Sequence, residues 1–263
     1  MVFVNETLCI GCGKCVADCV AQNISLKDNK AVVSSECFLC GHCVSICPKN
    51  AVSISDYPAD EIEEYNADAF SLSPASLLRA IKFRRSIRSY LPRKVEQSKM
   101  ELLLQAGRYT ATAKNSQDCR FVFVQEELPV LKSIVWDSIE KLEEKNYRDI
   151  PRELLPYINF NRRRKKDPED DFLFRNAPAV LYITSDYPLD AGLAAQNMEL
   201  MAVSQGLGTL YNGFLARISD ENEELKQWLG IEGKSIKACM LLGYPKNHYK
   251  RTAPRKPAQV TWK

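Results

Sequence analysis

The sequence lacks any apolar run approaching the roughly 18 residues needed to cross a bilayer, so a membrane-spanning role is not expected. Its N-terminus, MVFVNETLCIG, has no basic start, no apolar stretch and no small-residue cleavage site, which argues against secretion and for a reducing, cytoplasmic setting. Neither G-x-G-x-x-G nor a Walker sequence occurs, leaving a Rossmann or P-loop reading nothing to rest on. Histidine is scarce: only His42 and His248 are present, and neither stands in a pattern that suggests acid–base work. No zinc finger, aromatic RNP motif or basic heptad accompanies the net charge of +3, so nucleic acid is not an expected partner.

Cysteine, by contrast, is abundant and ordered. Eight of the ten cysteines form two runs, Cys9-x2-Cys12-x2-Cys15-x3-Cys19 and Cys37-x2-Cys40-x2-Cys43-x3-Cys47-Pro48. Three thiolates two residues apart can wrap three corners of an iron–sulfur cube, and the fourth, set off by three residues, reaches the neighbouring cluster. The expected ligand sets are therefore crossed: Cys9, Cys12, Cys15 and Cys47 on one [4Fe–4S] cluster, Cys37, Cys40, Cys43 and Cys19 on the other. A zinc site would use four ligands as two pairs and have no need of the third and fourth cysteine of each run. Gly11, Gly13 and Gly41 lie between ligands, where tight bends bring amides to sulfur. Val20 stands where the second run has Pro48, which weakens the turn there and leaves ligation intact. Residues 1–56 resemble a bacterial-type two-cluster ferredoxin. Val2–Val4 and Ser53–Ile54 read as one strand pair, and Ile24–Leu26 with Ala31–Ser34 as a hairpin. A unit this short should need its clusters to fold, and such clusters suit an oxygen-poor setting.

At 263 residues the chain accommodates this unit and one substantial core. Charge divides with it. Residues 1–56 hold four basic and five acidic side chains, and residues 57–72 five acidic and none basic. The rest carries 32 Lys and Arg against 23 Asp and Glu. An acidic module, an acidic linker over 57–73 and a basic body over 74–263 suit docking and an anionic ligand.

In the body, Ser73-Pro74 caps a helix running through the arginines at 84 and 85, and a second amphipathic helix covers Val95 to about Ala111. Strands are expected at Phe121–Val124, Ala179–Thr184 and Ile236–Leu242, with helices from Pro129 to Asn146, Asp190 to Gln205 and near Glu221–Leu229. The pattern indicates an α+β fold, with an α/β sandwich following the ferredoxin fold. Cys119 and Cys239 read as small packing residues. The block Asn161–Lys166 followed by Asp167–Asp171 reads as a solvated loop.

Arg84-Arg85-Ser86-Ile87-Arg88 puts three guanidiniums and a hydroxyl into five residues, a set suited to phosphate. Continued through Ser89-Tyr90, it is similar to the R-R-S-x-R-x-[FY] segment that opens the nitroreductase family of FMN-dependent oxidoreductases. Asn115 and Gln117 match a second family segment that has here lost its prolines and tryptophan. Gly206 to Phe214 and the endings Gly243-Tyr244-Pro245 and Pro254-Arg255-Lys256-Pro257 match two more. The resemblance, over about residues 75–258, implies that Arg84, Arg85, Ser86 and Arg255 bind the FMN phosphate and ribityl side and Arg88 the N1/O2 edge of the ring. It implies that the amides of Asn212 and Gly213 lie by N5, and that Asn115 and Gln117 reach the flavin of a partner subunit in a homodimer. No protein residue need be catalytic; flavin N5 is the reactive centre. The expected activity passes electrons from a low-potential donor through the clusters to FMN and on to a nitro, quinone or enone acceptor. NAD(P)H as donor with accessory clusters, or a redox-sensing module with no dedicated substrate, are the other readings.

Overall fold

The computed structural model describes residues 1–34 and 37–263. Contacts divide the chain into two units, Met1–Ser71 with Thr112–Ser116, and Leu72–Ala111 with Gln117–Lys263.

In the first unit β1 (Val2–Val4) pairs antiparallel with β4 (Val52–Ile54), with Val2 opposite Ile54. A hairpin joins β2 (Ile24–Lys27) to β3 (Lys30–Val33). Its turn residues, Asp28 and Asn29, both take left-handed φ, as a two-residue turn matched to strand twist requires. The helices α1 (Lys14–Asp18) and α2 (His42–Ser45) each start from a left-handed glycine, Gly13 and Gly41. His42 Nδ1 lies 3.0 Å from Asp18 Oδ2, so this histidine ties one short helix to the other. The core is small: Ile24, Ala31, Cys43 and Val52 are buried, and Cys9, Cys15, Cys19 and Cys47 pack against them.

The second unit is built on a four-stranded antiparallel sheet ordered β5-β6-β8-β7: Arg120–Val124, Ala179–Thr184, Ile236–Gly243 and Gly208–Tyr211. The central strands are apolar without interruption because both faces are covered. Val180, Tyr182, Cys239 and Leu241 point into one core, against α5 (Leu128–Glu143), α6 (Leu155–Lys166), α8 (Gly213–Asp220) and α9 (Glu223–Trp228). Ala179, Leu181, Ile183, Met240 and Leu242 point into the other, against α4 (Gln97–Arg108) and α7 (Pro188–Ser204). This alternation with period two makes a helix–sheet–helix sandwich. Gly107 lets α4 sit close to the sheet, since a Cβ there would lie 2.9 Å from the Phe121 ring.

Helix α3 (Pro74–Phe83) begins as expected, with Ser73 Oγ accepting from Ser76 N and proline in the first turn, but ends before the two arginines. The block 161–166, expected as a loop, is the last turns of α6. Its cations meet carboxylates, Arg162 on Glu143 and Arg163 on Asp170, at a helix end that favours positive charge. Strand β7 and helix α8 were not expected as elements. Among the described residues, no helix is long and apolar enough to cross a membrane.

Candidate functional site

The cysteine runs fold so that the fourth residue of the second meets the first three of the first. Cys9, Cys12, Cys15 and Cys47 line one cavity, together with Gly11, Gly13 and Pro48, and Cys19 is not in its wall. Cys43 lies close enough to Cys37 and Cys40 for their charges to bear on it. Amides converge on sulfur: Ala31 N donates to Cys9 Sγ at 3.5 Å, Asn23 N to Cys19 at 3.4 Å, Leu39 N to Cys37 at 3.3 Å and Ala51 N to Cys47 at 3.3 Å. The Ala31 bond lowers the Cys9 thiol below its ordinary pKa, while burial raises Cys15 and Cys43. The four thiols surround a volume, and among the described residues no three metal-ligating side chains converge on a single point. Thiols around a cavity, with amides turned to their sulfur, fit a cubane. Gly11 belongs to this packing: it has φ +64, and a Cβ there would meet Asn29 O at 2.2 Å.

Asn115 is found in this unit. Its Nδ2 lies 3.1 Å from both Phe38 O and Leu39 O, holding the bend between Cys37 and Cys40 where Leu39 takes φ +50. Gln117 falls in the other unit.

In the second unit a cavity of about 490 Å³ is walled by Arg88, Phe172, Leu173, Arg175, Leu210, Tyr211, Asn212, Gly213, Phe214 and Arg217. Of the sequence candidates it brings together Arg88, Asn212 and Gly213. The segment 84–88 runs beside β7, bridged Ser86 to Thr209, with Ile87 N donating to Thr209 O at 2.9 Å. Tyr90, buried, fixes its end by donating to Ile87 O. Asn212 is the N-cap of α8: Oδ1 accepts from Leu215 N, Nδ2 donates to Leu173 O at 2.6 Å, and its own amide donates to Cys239 O at 2.8 Å. That amide is therefore committed to the fold, in contrast to the expectation that it faces flavin N5. Gly213 is the first residue of α8, whose amide the helix does not itself use. A Cβ on Gly213 would meet nothing within 4 Å.

Arg84 is turned to protein. Its Nη1 lies 3.1 Å from Glu199 Oε1, and Thr209 Oγ1 donates to the same oxygen at 3.0 Å. Glu199 is 1 % exposed, an acid on the buried side of α7 that sequence reasoning missed. Burial first, then the Glu199 carboxylate, raises the Tyr211 hydroxyl above its ordinary pKa although the residue keeps 38 % exposure. Arg85 lies over the Tyr249 ring at 5.5 Å, and Arg255 Nη1 donates to Pro254 O. Neither lines the cavity. Phe172, Arg175, Tyr211 and Arg217 were also missed. The cavity offers the Arg88 guanidinium, the helix-start amide of Gly213 and aromatic walls, a set that fits a planar anionic group such as FMN.

Residues 81–244 match the nitroreductase family, and residues 8–52 match the 4Fe-4S dicluster domain. The chain belongs to the nitroreductase family of oxidoreductases and carries a two-cluster iron–sulfur domain ahead of it. A candidate NADH dehydrogenase/NAD(P)H nitroreductase of Methanothermobacter thermautotrophicus is 25% identical over 184 residues, 66% of this chain and 80% of that protein. A Bacteroides fragilis nitroreductase solved with bound FMN superposes with TM-score 0.58 at 20% identity, over 71% of this chain and 98% of that one. One from Desulfitobacterium hafniense, also with FMN, gives TM-score 0.56 at 18% identity, over 71% and 97%.

Proposed function

We propose that the protein is an FMN-dependent oxidoreductase that takes single electrons from a low-potential donor at two [4Fe–4S] clusters and delivers them in pairs to a small nitro, quinone or enone acceptor. The observation that carries this reading is that one chain holds both a cavity walled by Cys9, Cys12, Cys15 and Cys47 and a cavity walled by Arg88 and Gly213. Cubanes carry one electron each and flavin carries one or two, so the pair of cofactors converts one-electron into two-electron transfer.

The chain's own residues have separable tasks in this reading. The crossed cysteine sets hold the clusters, and the amides of Ala31, Asn23, Leu39 and Ala51 stabilise their sulfur charge. Ser86, Arg84, Arg85 and Arg255, which lie outside the wall of the 490 Å³ cavity, take the FMN phosphate, with Glu199 orienting Arg84. Arg88 faces the N1/O2 edge, where a cation favours the anionic reduced ring. The Gly213 amide faces N5. Asn115 shapes the second cluster's loop, and Gln117 reaches the flavin of a second copy. The exposed Leu77, Leu78, Ile81 and Phe83 of α3 support a homodimer, since such a cluster is covered in most stable proteins.

The name of the Methanothermobacter relative favours a second reading, in which NAD(P)H is the donor and the clusters are accessory. Anaerobic mixing separates the two. The first predicts that flavin absorbance stays oxidised with NADH and with NADPH and bleaches with reduced ferredoxin at about 1 s⁻¹ or faster, the low end of ordinary turnover. Bleaching by a nicotinamide at that rate would favour the second.

A further inference from the structure

The 490 Å³ cavity contains more positive charge than the flavin edge calls for. Arg88, Arg175 and Arg217 all line it, and none of its ten lining residues is acidic. Among the described residues these three make no ion pair, whereas Arg84, Arg162 and Arg163 are each matched to a carboxylate. Arg175 is placed with care. It and Asn176 both have left-handed backbone, φ +55 and +52, a conformation that costs free energy and persists only where the surroundings enforce it. The enforcement comes from Asp171, whose carboxylate accepts from Phe174 N and Asn176 N and pairs with Lys132 Nζ at 2.6 Å. The Arg175 guanidinium then lies over the Phe172 ring at 3.9 Å. Burial first, and repulsion from Arg88 and Arg163 next, lower its pKa against the pull of Asp170 and Asp171, whose carboxylates are themselves paired with Arg163 and Lys132. Arg217 stands one turn into α8 from Gly213, on the same wall. Apart from Asn212 and Gly213, the remaining wall is apolar and aromatic: Phe172, Leu173, Leu210, Tyr211 and Phe214.

We propose that Arg175 and Arg217 form an anion subsite for the electron acceptor, and that this acceptor is a conjugated or aromatic molecule bearing a carboxylate. The proposal rests on the flavin reading given above, with Arg88 assigned to the flavin and the other two guanidiniums to the substrate. Arginine matches a carboxylate with two parallel hydrogen bonds, and Tyr211 and Phe214 supply aromatic wall for the conjugated plane.

The test pairs 4-nitrobenzoate with its methyl ester, equal in ring and nitro group and different in charge. Binding to the oxidised holo-protein is measured by calorimetry, with FMN content recorded for every preparation. Wild type is expected to bind the carboxylate at least about tenfold more tightly than the ester. Arg175→Gln and Arg217→Gln are each expected to weaken the carboxylate about tenfold, leave the ester unchanged and retain FMN. A charge-assisted hydrogen bond is worth a change of that size. Equal affinity for the two compounds in wild type would overturn the proposal. So would variants that lose FMN while the preference among the remaining holo-protein persists, since the guanidiniums would then belong to the flavin. If the wild-type protein binds no FMN at all, the flavin reading fails, and the same calorimetric preference in flavin-free protein still decides whether the anion subsite exists.

Discussion

Removing iron from the purified protein is expected to unfold residues 1–71 while the four-stranded unit keeps its structure. Among the described residues the first unit buries Ile24, Ala31, Cys43, Ala51, Val52 and Ile54, with other thiols filling the space around them. Ordering its backbone costs about 1–2 kcal/mol per residue, far beyond what these few side chains return by burial at about 25 cal/mol per Å². In the proposed ligation, bonds from eight thiolates to two clusters make up the difference, and without metal the lined-up sulfurs repel once ionised. The second unit has two extensive cores and no cysteine among those runs. Chelation followed by limited proteolysis should therefore cleave within residues 1–71 and leave a stable fragment that starts near Leu72. Heteronuclear NMR should show the same division. A first unit that keeps its protection after complete iron loss would mean that its thiol core is self-sufficient.

Gly208→Ala should be strongly destabilising to the second unit. A Cβ on Gly208 would lie 2.2 Å from Ile87 Cγ1 and 3.0 Å from Ile87 Cβ and Pro245 Cγ. Ile87 cannot swing aside easily: it is buried, its amide is held by Thr209 O, and its neighbours Ser86 and Arg88 are the proposed flavin contacts. Overpacking of this kind costs about 1–3 kcal/mol or more, a fall of several degrees in Tm for a domain of this size. The strain falls on the segment 84–88, so FMN retention should fall together with stability. Ile87→Ala in the same chain removes the clashing atom but opens a cavity of its own, so the double variant should lose less than the sum of the two single variants. Unchanged melting and flavin content in Gly208→Ala would contradict the packing of this segment on β7.

Much of this architecture is legible in the chain because its signals are local. Ala179–Thr184 and Ile236–Gly243 read as buried strands since both faces of the sheet are covered, and Ser73-Pro74 marks a helix start by its chemistry. The cysteine spacing carries its own geometry. Strand β7 was hidden because Gly208–Tyr211 is four residues long and begins at a glycine, and its strand character comes from pairing with β8. Helix α8 is capped by the Asn212 side chain, a signal of one residue with no apolar run long enough to mark a helix by itself. The basic block on α6 looked like a loop because its partners, Glu143 and Asp170, stand on other segments. The partnership of Arg84 with Glu199 spans 115 residues, and the strained backbone at Arg175 is enforced by Asp171, so neither the orientation of the first arginine nor the anion subsite has a sequence signature. Asn115 matched a flavin segment by position, yet its amide is committed to Phe38 and Leu39, an assignment only the folded chain makes.

The central claim is that electrons reach the flavin through the cysteine-held clusters, and one comparison tests it most directly. Reduced ferredoxin is mixed anaerobically with the wild-type protein and with a Cys12→Ala/Cys40→Ala variant matched for FMN content, and flavin bleaching is followed by stopped flow. The account predicts bleaching at about 1 s⁻¹ or faster in the wild type and at least about a tenfold slower rate in the variant, an added barrier of about 1.4 kcal/mol or more. Equal rates in the two proteins would contradict it, because the flavin would then take its electrons without the clusters.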